Sequence, residues 1–207
     1  DLQNLLHDTF KAHQRIIFNG NGYGEDWVQE AQRRGLSNLR DTVDCMPAYI
    51  DPKNIRLFAG HNILSETEMR ARYEIHLENY CKVTAIEAST LRDMVLRGIL
   101  PAVNRYTADL TQAILHKREL VVPCRVEEDL LQKLSALTGS LYDTMAAINE
   151  AMDKAPDAEG GIDAARYYRE EIVRRMEEAR QSIDQLESLT AAKYWPYPTY
   201  ADILFSV

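Results

Sequence analysis

The chain has 207 residues, 45% hydrophobic and 27% charged, which is enough apolar material for one core or two small ones and excludes disorder as the default. Its 24 Lys and Arg against 32 Asp and Glu give a formal net charge of −8. That balance repels a polyanion unless the basic residues cluster, which they do not, so nucleic acid is not an expected partner.

No run of about 18 uncharged apolar residues occurs, and the N-terminus lacks the basic-then-apolar pattern of a signal peptide. The expectation is a soluble, cytoplasmic chain with no membrane partner. A start at Asp1 rather than Met reads as a processed chain or an excised piece of something longer.

In chain order, Leu2, Leu5, Leu6, Phe10, His13, Ile16 and Ile17 follow helical spacing and predict an amphipathic helix, with Asp1 or Asn4 available as its cap. Phe18-Asn19-Gly20-Asn21-Gly22-Tyr23-Gly24 follows as an irregular loop whose glycines and asparagines could adopt positive φ. A short helix then carries Glu25 and Asp26 in its first turn, Trp27, Val28 and Ala31 on one face, Arg33 and Arg34 at its end, and Gly35 as the stop. Beyond a linker containing Pro47, Asp51-Pro52 reads as an N-cap with proline at the first helical position, and Gly60 as the terminator.

Ser65 with Glu68 forms a capping box that opens a long helical region carrying Met69, Tyr73, Leu77, Tyr80, Ala88, Leu91, Val95, Val103, Tyr106, Leu110 and Ile114 at near-helical period. Gly98 and Pro101 interrupt it, because Pro101 cannot donate to the carbonyl of Arg97; a kink or short break is expected there. Val121-Val122-Pro123 ends that run. A second long helix restarts at Val126 through Leu130, Leu134, Leu137, Leu141, Met145, Ile148 and Met152 and stops at Pro156 to Gly161.

The third long helix shows Ile162, Ala165, Arg169, Ile172, Met176, Ala179, Ile183 and Leu186 in steps of three and four, a coiled-coil-like seam broken only by Arg169. Its solvent face offers Glu170 with Arg174, Glu171 with Arg175, and Arg174 with Glu178. Two helices of about 30 residues joined by a short turn must run antiparallel, and a third helix from the 66 to 119 region is needed to close their core. The fold class is therefore all-α: an elongated antiparallel helical bundle of long helices, with short helices and a glycine-rich loop at the N-terminal end. It divides as 1–64 (short helices and glycine loop), 65–193 (long-helix bundle) and 194–207 (an aromatic, Pro-containing tail). The tail either folds back on its own bundle or docks on a neighbouring subunit through anchors such as Trp195.

Candidate chemistry is sparse. Gly20, Gly22 and Gly24 are spaced GxGxG after a helix, whereas a dinucleotide loop needs GxGxxG after a strand, and Glu25 and Asp26 occupy the helix start where a phosphate would sit. Glu74, His76 and Glu78 lie at steps of two, which scatters them around a helix. His7, His13, His61 and His116 lack inward-facing acidic partners at helical spacing, and Cys45, Cys81 and Cys124 read as reduced thiols packing like small apolar side chains. No catalytic, cofactor-binding or metal residue is assigned, and the residues alone suggest a scaffold or assembly element.

Four blocks carry a resemblance: Arg15-Ile16-Ile17-Phe18-Asn19-Gly20-Asn21-Gly22-Tyr23, Ala31-Gln32-Arg33-Arg34-Gly35-Leu36, Arg72-Tyr73-Glu74-Ile75-His76-Leu77-Glu78-Asn79-Tyr80, and Tyr197 to Val207. Together, in this order, they resemble the C-terminal part of type III glutamine synthetases over essentially the whole chain. The resemblance implies that residues 1 to about 85 are similar to closing helices around a catalytic domain and that the long helices up to about 193 are the type III extension. It also implies a parent enzyme that joins ammonia to glutamate using ATP and Mg²⁺ or Mn²⁺. The family's catalytic residues lie upstream of Asp1 and none maps here, so no cofactor is expected in this fragment and an isolated fragment should be inactive. The implied partners are the upstream catalytic domain of the same chain and further copies in a homo-oligomer. An independent coiled-coil interaction module, and a regulatory domain sensing a nucleotide or 2-oxoglutarate through the glycine loop, stand as alternatives.

Overall fold

A computed structural model describes residues 1–198 and 200–204; Thr199 and residues 205–207 of the aromatic tail lie outside the described residues. Among the described residues every regular element is helical. The chain divides into two compact units, Asp1–Cys45 and Met46–Val207.

The first unit contains α1 (Leu2–His13), a 3-10 turn (Gln14–Ile16) and α2 (Glu25–Arg33). Glu25 and Asp26 open α2, where the helix dipole favours negative charge. Gly35, at φ +74°, closes it: Leu36 N–H donates to Ala31 O at 2.9 Å and Gly35 N–H to Gln32 O at 3.0 Å, the bonding of a Schellman stop. The segment read as a linker around Pro47 is instead helical, α3 (Thr42–Tyr49), with Pro47 inside it. The signal overlooked is Asp41, whose carboxylate accepts from Asp44 N–H at 2.8 Å and caps the start.

In the second unit, α4 (Pro52–Gly60) has the expected cap, with the Asp51 carboxylate accepting from Lys53 N–H at 2.8 Å. Gly60 is its last helical residue rather than its terminator. The left-handed position falls on Asn62, at φ 54°. α5 (Glu66–Met94) opens on the reciprocal Ser65–Glu68 capping box and buries Met69, Leu77, Cys81, Thr84 and Ala88 at helical spacing.

The interruption expected at Gly98 and Pro101 is a π turn (Val95–Ile99) in an otherwise continuous helix that goes on as α6 (Leu100–Glu119). Leu100 N–H reaches back to Val95 O, five residues away, and Pro101 falls in the first turn of α6, where a missing donor is tolerated. α6 ends with Val121 at φ 58°, a left-handed position occupied by a β-branched residue.

α7 (Arg125–Asp153) returns along α6, and the third long helix, made of α8 (Gly161–Tyr167), a second π turn (Tyr168–Val173) and α9 (Arg174–Leu189), returns along α7. α5 packs on α8 and on this π turn and α6 on α7, so the helix of the 66 to 119 region closes the core of the hairpin. The turn also corrects the seam. Tyr168 is buried in place of Arg169, while Ile172, Ala179, Ile183 and Leu186 are buried as the spacing predicts.

A π turn offers some main-chain carbonyls no helical donor, and buried polar groups need partners. Here side chains supply them. Arg174 Nε donates to Glu170 O at 3.2 Å, and Arg175 Nη1 donates to Glu171 O as well as to the Glu171 carboxylate at 2.5 Å. Of the surface pairs read from spacing, Glu171–Arg175 and Arg174–Glu178 form, whereas the Glu170 carboxylate turns to Arg169 at 3.0 Å.

Candidate functional site

The positions singled out for chemistry do not converge. In the glycine loop neither Asn19 nor Asn21 and none of Gly20, Gly22 and Gly24 takes positive φ. Gly20 leaves room instead for the Phe18 ring: a Cβ there would lie 2.5 Å from it, and the ring lies tilted against Trp27 at a centroid distance of 4.9 Å. Arg34 fixes the same corner, donating to Ile17 O at 3.1 Å and lying 5.7 Å over the Trp27 ring. Glu30 accepts from both Arg33 and Arg34, and these hydrogen bonds hold its carboxyl well below the usual carboxylate range, at about 2.

Glu74, His76 and Glu78 are separated as their spacing requires. His76 meets Tyr49 edge-on at 6.3 Å, and Glu78 pairs with Lys82. His7 contacts Asp8 at 3.1 Å and His116 contacts Gln112 at 3.1 Å. Among the described residues no three of His, Cys, Asp and Glu come together as a metal seat. Cys81 and Cys124 are buried, but Cys45 is exposed, so the apolar-packer reading fails for that residue. Burial pushes the Cys81 thiol up, and a hydrogen bond to the Glu128 carboxylate followed by burial does the same for Cys124, so neither is a ready thiolate.

What the structure does present is apolar surface and a strap. Along α1 no residue is buried; Leu2 is 71% and Phe10 62% exposed, Leu5 and Leu6 are exposed beside them, and Ile16 and Ile17 just beyond the helix are exposed as well. Within this unit Ala31 and Val43 are the buried apolar side chains. At the α6–α7 turn Leu120, Val121, Val122 and Val126 are exposed together. The seam of the third helix, by contrast, is occupied by the bundle itself.

The strap is the tail. Residues 194–198 fold back on their own bundle, as one of the two sequence readings held. The Tyr194 ring lies 5.2 Å from that of Tyr106, its hydroxyl donates to Asp109, and Lys193 sits 4.6 Å over its face. Tyr197 Oη donates to Met94 O at 3.2 Å, at the head of the first π turn. Gly98 permits this approach, since a Cβ there would lie 2.6 Å from Tyr197 Oη and 3.1 Å from Cζ. Periodicity could not reveal a contact between residues a hundred positions apart; the one sequence signal was a glycine in mid-helix.

No helix among the described residues is long and apolar enough to cross a membrane. Residues 1–118 match the family described as the glutamine synthetase C-terminal domain, a match that stops at the end of α6. Similarity to individual proteins continues beyond it. The chain is 36% identical to a glutamine synthetase of Butyrivibrio fibrisolvens over 100% of its own length and 30% of the relative's. It is 31% identical to a type-3 glutamine synthetase of Dictyostelium discoideum over 97% of the chain and 28% of the relative. With a glutamine synthetase of Bacteroides fragilis (strain YCH46) it shares 29% identity over 98% of the chain and 28% of the relative. The chain thus spans under a third of the length of these relatives, and the sequence similarity to them includes the residues of α7 to α9, outside the family match. By this match, and in keeping with its all-helical build and its type III sequence blocks, the chain belongs to the glutamine synthetase C-terminal domain family.

Proposed function

We propose that this chain is the C-terminal helical, non-catalytic part of a glutamine synthetase, with a structural or assembly role in an enzyme that ligates ammonia to glutamate at the expense of ATP. The observation that carries the reading is the uncovered apolar face of α1 in a chain that spans under a third of its relatives. An amphipathic helix normally buries such a face, and the upstream catalytic part of the same polypeptide is the surface proposed to cover it. The parent enzyme, on this reading, is a cytoplasmic homo-oligomer, a view supported by the sequence resemblance.

ATP and its Mg²⁺ or Mn²⁺ belong to the upstream part. Glu25 and Asp26 do not suit a nucleotide phosphate, since they fill the α2 start with negative charge. No step of the reaction is therefore assigned here.

The test is the double substitution Leu5→Asp with Phe10→Asp in the full-length protein. The expected result is loss of glutamine formation together with a lowered melting temperature, because two charges are forced into an apolar contact. Unchanged turnover and melting would remove the interface. Metal-dependent γ-glutamyl transfer by the isolated 207-residue chain would refute the non-catalytic assignment.

A further inference from the structure

The tail roofs a cleft. Beneath residues 195–198, between the first π turn and α9, a space of about 300 Å³ remains. Protein interiors keep few voids larger than one water, and small-molecule sites begin at roughly this size, about 300 to 1,000 Å³. Its floor is aliphatic, formed by Leu91 of α5, Ile99 of the π turn and Ile183 of α9. Trp195 and Tyr197 supply an aromatic wall.

The charged side of the lining comes from α9. Arg180 Nε donates to Asp184 at 2.6 Å, which neutralises that pair, and Glu187 adds a second carboxylate with no second cation among the described residues of the lining. The cleft therefore combines an apolar floor, two aromatic side chains and one negative charge in excess. An anion is repelled by that charge, and a neutral hydrocarbon gains nothing from it.

We propose that this cleft is a binding site for an organic monocation: a protonated primary amine carrying a flat aromatic or branched aliphatic group. The apolar group enters over Leu91, Ile99 and Ile183, and the ammonium lies between the Glu187 carboxylate and the aromatic wall, where cation–π attraction adds to charge pairing. The site uses the strap as one wall, so it exists only while the tail is seated. It stands independently of the role proposed above for α1.

The experiment is isothermal calorimetry of the full-length protein with tryptamine, and with indole-3-propionate as its anionic counterpart. Saturable binding of one tryptamine per chain is expected, with no binding of the anion. Glu187→Gln should weaken tryptamine binding about tenfold, the scale of one hydrogen bond to a charged group. Met94→Trp, at a partly exposed position on the lining, should abolish it by filling the space. Neither substitution touches the buried core, and unchanged circular dichroism of each variant is the control. Absence of saturable tryptamine binding, equal binding of the anion, or binding that survives both substitutions unchanged would overturn the proposal.

Discussion

Gly98 is expected to change the sign of its effect with the state of Tyr197. A glycine in a helix costs up to about 1 kcal/mol relative to alanine, so Gly98→Ala should stabilise an isolated helix by that amount. In this fold the new Cβ would lie 2.6 Å from Tyr197 Oη and 3.1 Å from Cζ, so the ring must withdraw. Withdrawal loses the hydrogen bond to Met94 O, worth about 1 kcal/mol, and part of the ring's burial, worth about another 1 kcal/mol. The net change in the wild-type background is a destabilisation of about 1 kcal/mol, being a loss of about 2 against a gain of about 1. In a Tyr197→Ala background nothing is displaced, and the same substitution should stabilise by about 1 kcal/mol. The coupling of about 2 kcal/mol is within reach of a double-mutant cycle. Urea denaturation of the four 207-residue proteins, followed by far-UV circular dichroism, measures it. Equal effects of Gly98→Ala in both backgrounds would refute the claim that the tail presses on the π turn.

Val121 holds a left-handed backbone position at φ 58° with a side chain 90% exposed, so Val121→Gly relieves strain and loses no packing. Relief of about 1.5 kcal/mol, less about 0.7 for the looser unfolded chain, leaves a gain of about 0.8 kcal/mol and a higher urea midpoint. Leu141 on α7 is 0% exposed, and Leu141→Ala should cost about 2–5 kcal/mol. The 55% exposed Leu57 of α4 serves as its control, with a change within about 0.5 kcal/mol in the same denaturation assay. For Glu30, whose carboxyl is held at about 2, the sign follows from a folded-state value below the unfolded one. Its contribution to stability is complete above the ordinary carboxylate range and is lost as pH falls toward about 2. Carboxyl NMR should place the Glu30 titration there, and Arg33→Ala with Arg34→Ala should return it to the ordinary range.

Caps and stripes were readable because both are local. Ser65 and Glu68 announce the start of α5 three residues apart, and Asp51-Pro52 does the same for α4. Asp41 is an equally local signal, but Pro47 competes with it; a proline disfavours helix without forbidding it, and the helix forms around it. The π turns are another matter. An extra residue in a turn rotates everything after it by about 100° relative to an α-helix, so a strict three-four spacing drawn across it must misplace someone. Arg169 at a core position was the trace of that misplacement, and burial of Tyr168 instead is its resolution. The sequence also carried Gly98 and Pro101 as the mark of the other turn, but not the Tyr197 hydroxyl that meets it, because that contact depends on how the third helix returns.

The candidate sites divide along the same line. Amphipathic spacing identifies which side of a helix is apolar and is silent on what covers it. Applied to the third long helix the rule yields a seam filled by α5, against α8 and the π turn, and by α7, against α9; applied to α1 the same rule yields a stripe that stays exposed. The difference lies in the number of helices available. Three long helices suffice to bury one another's stripes, whereas a 45-residue unit with Ala31 and Val43 as its buried apolar side chains has no core to offer its own first helix. On the function proposed above, such a unit is completed by the upstream part of the polypeptide, and Leu2, Leu5, Leu6 and Phe10 are the exposed apolar residues it offers. The bundle, complete in itself, can instead afford a cleft and a strap at the junction where its longest helix loosens by one residue.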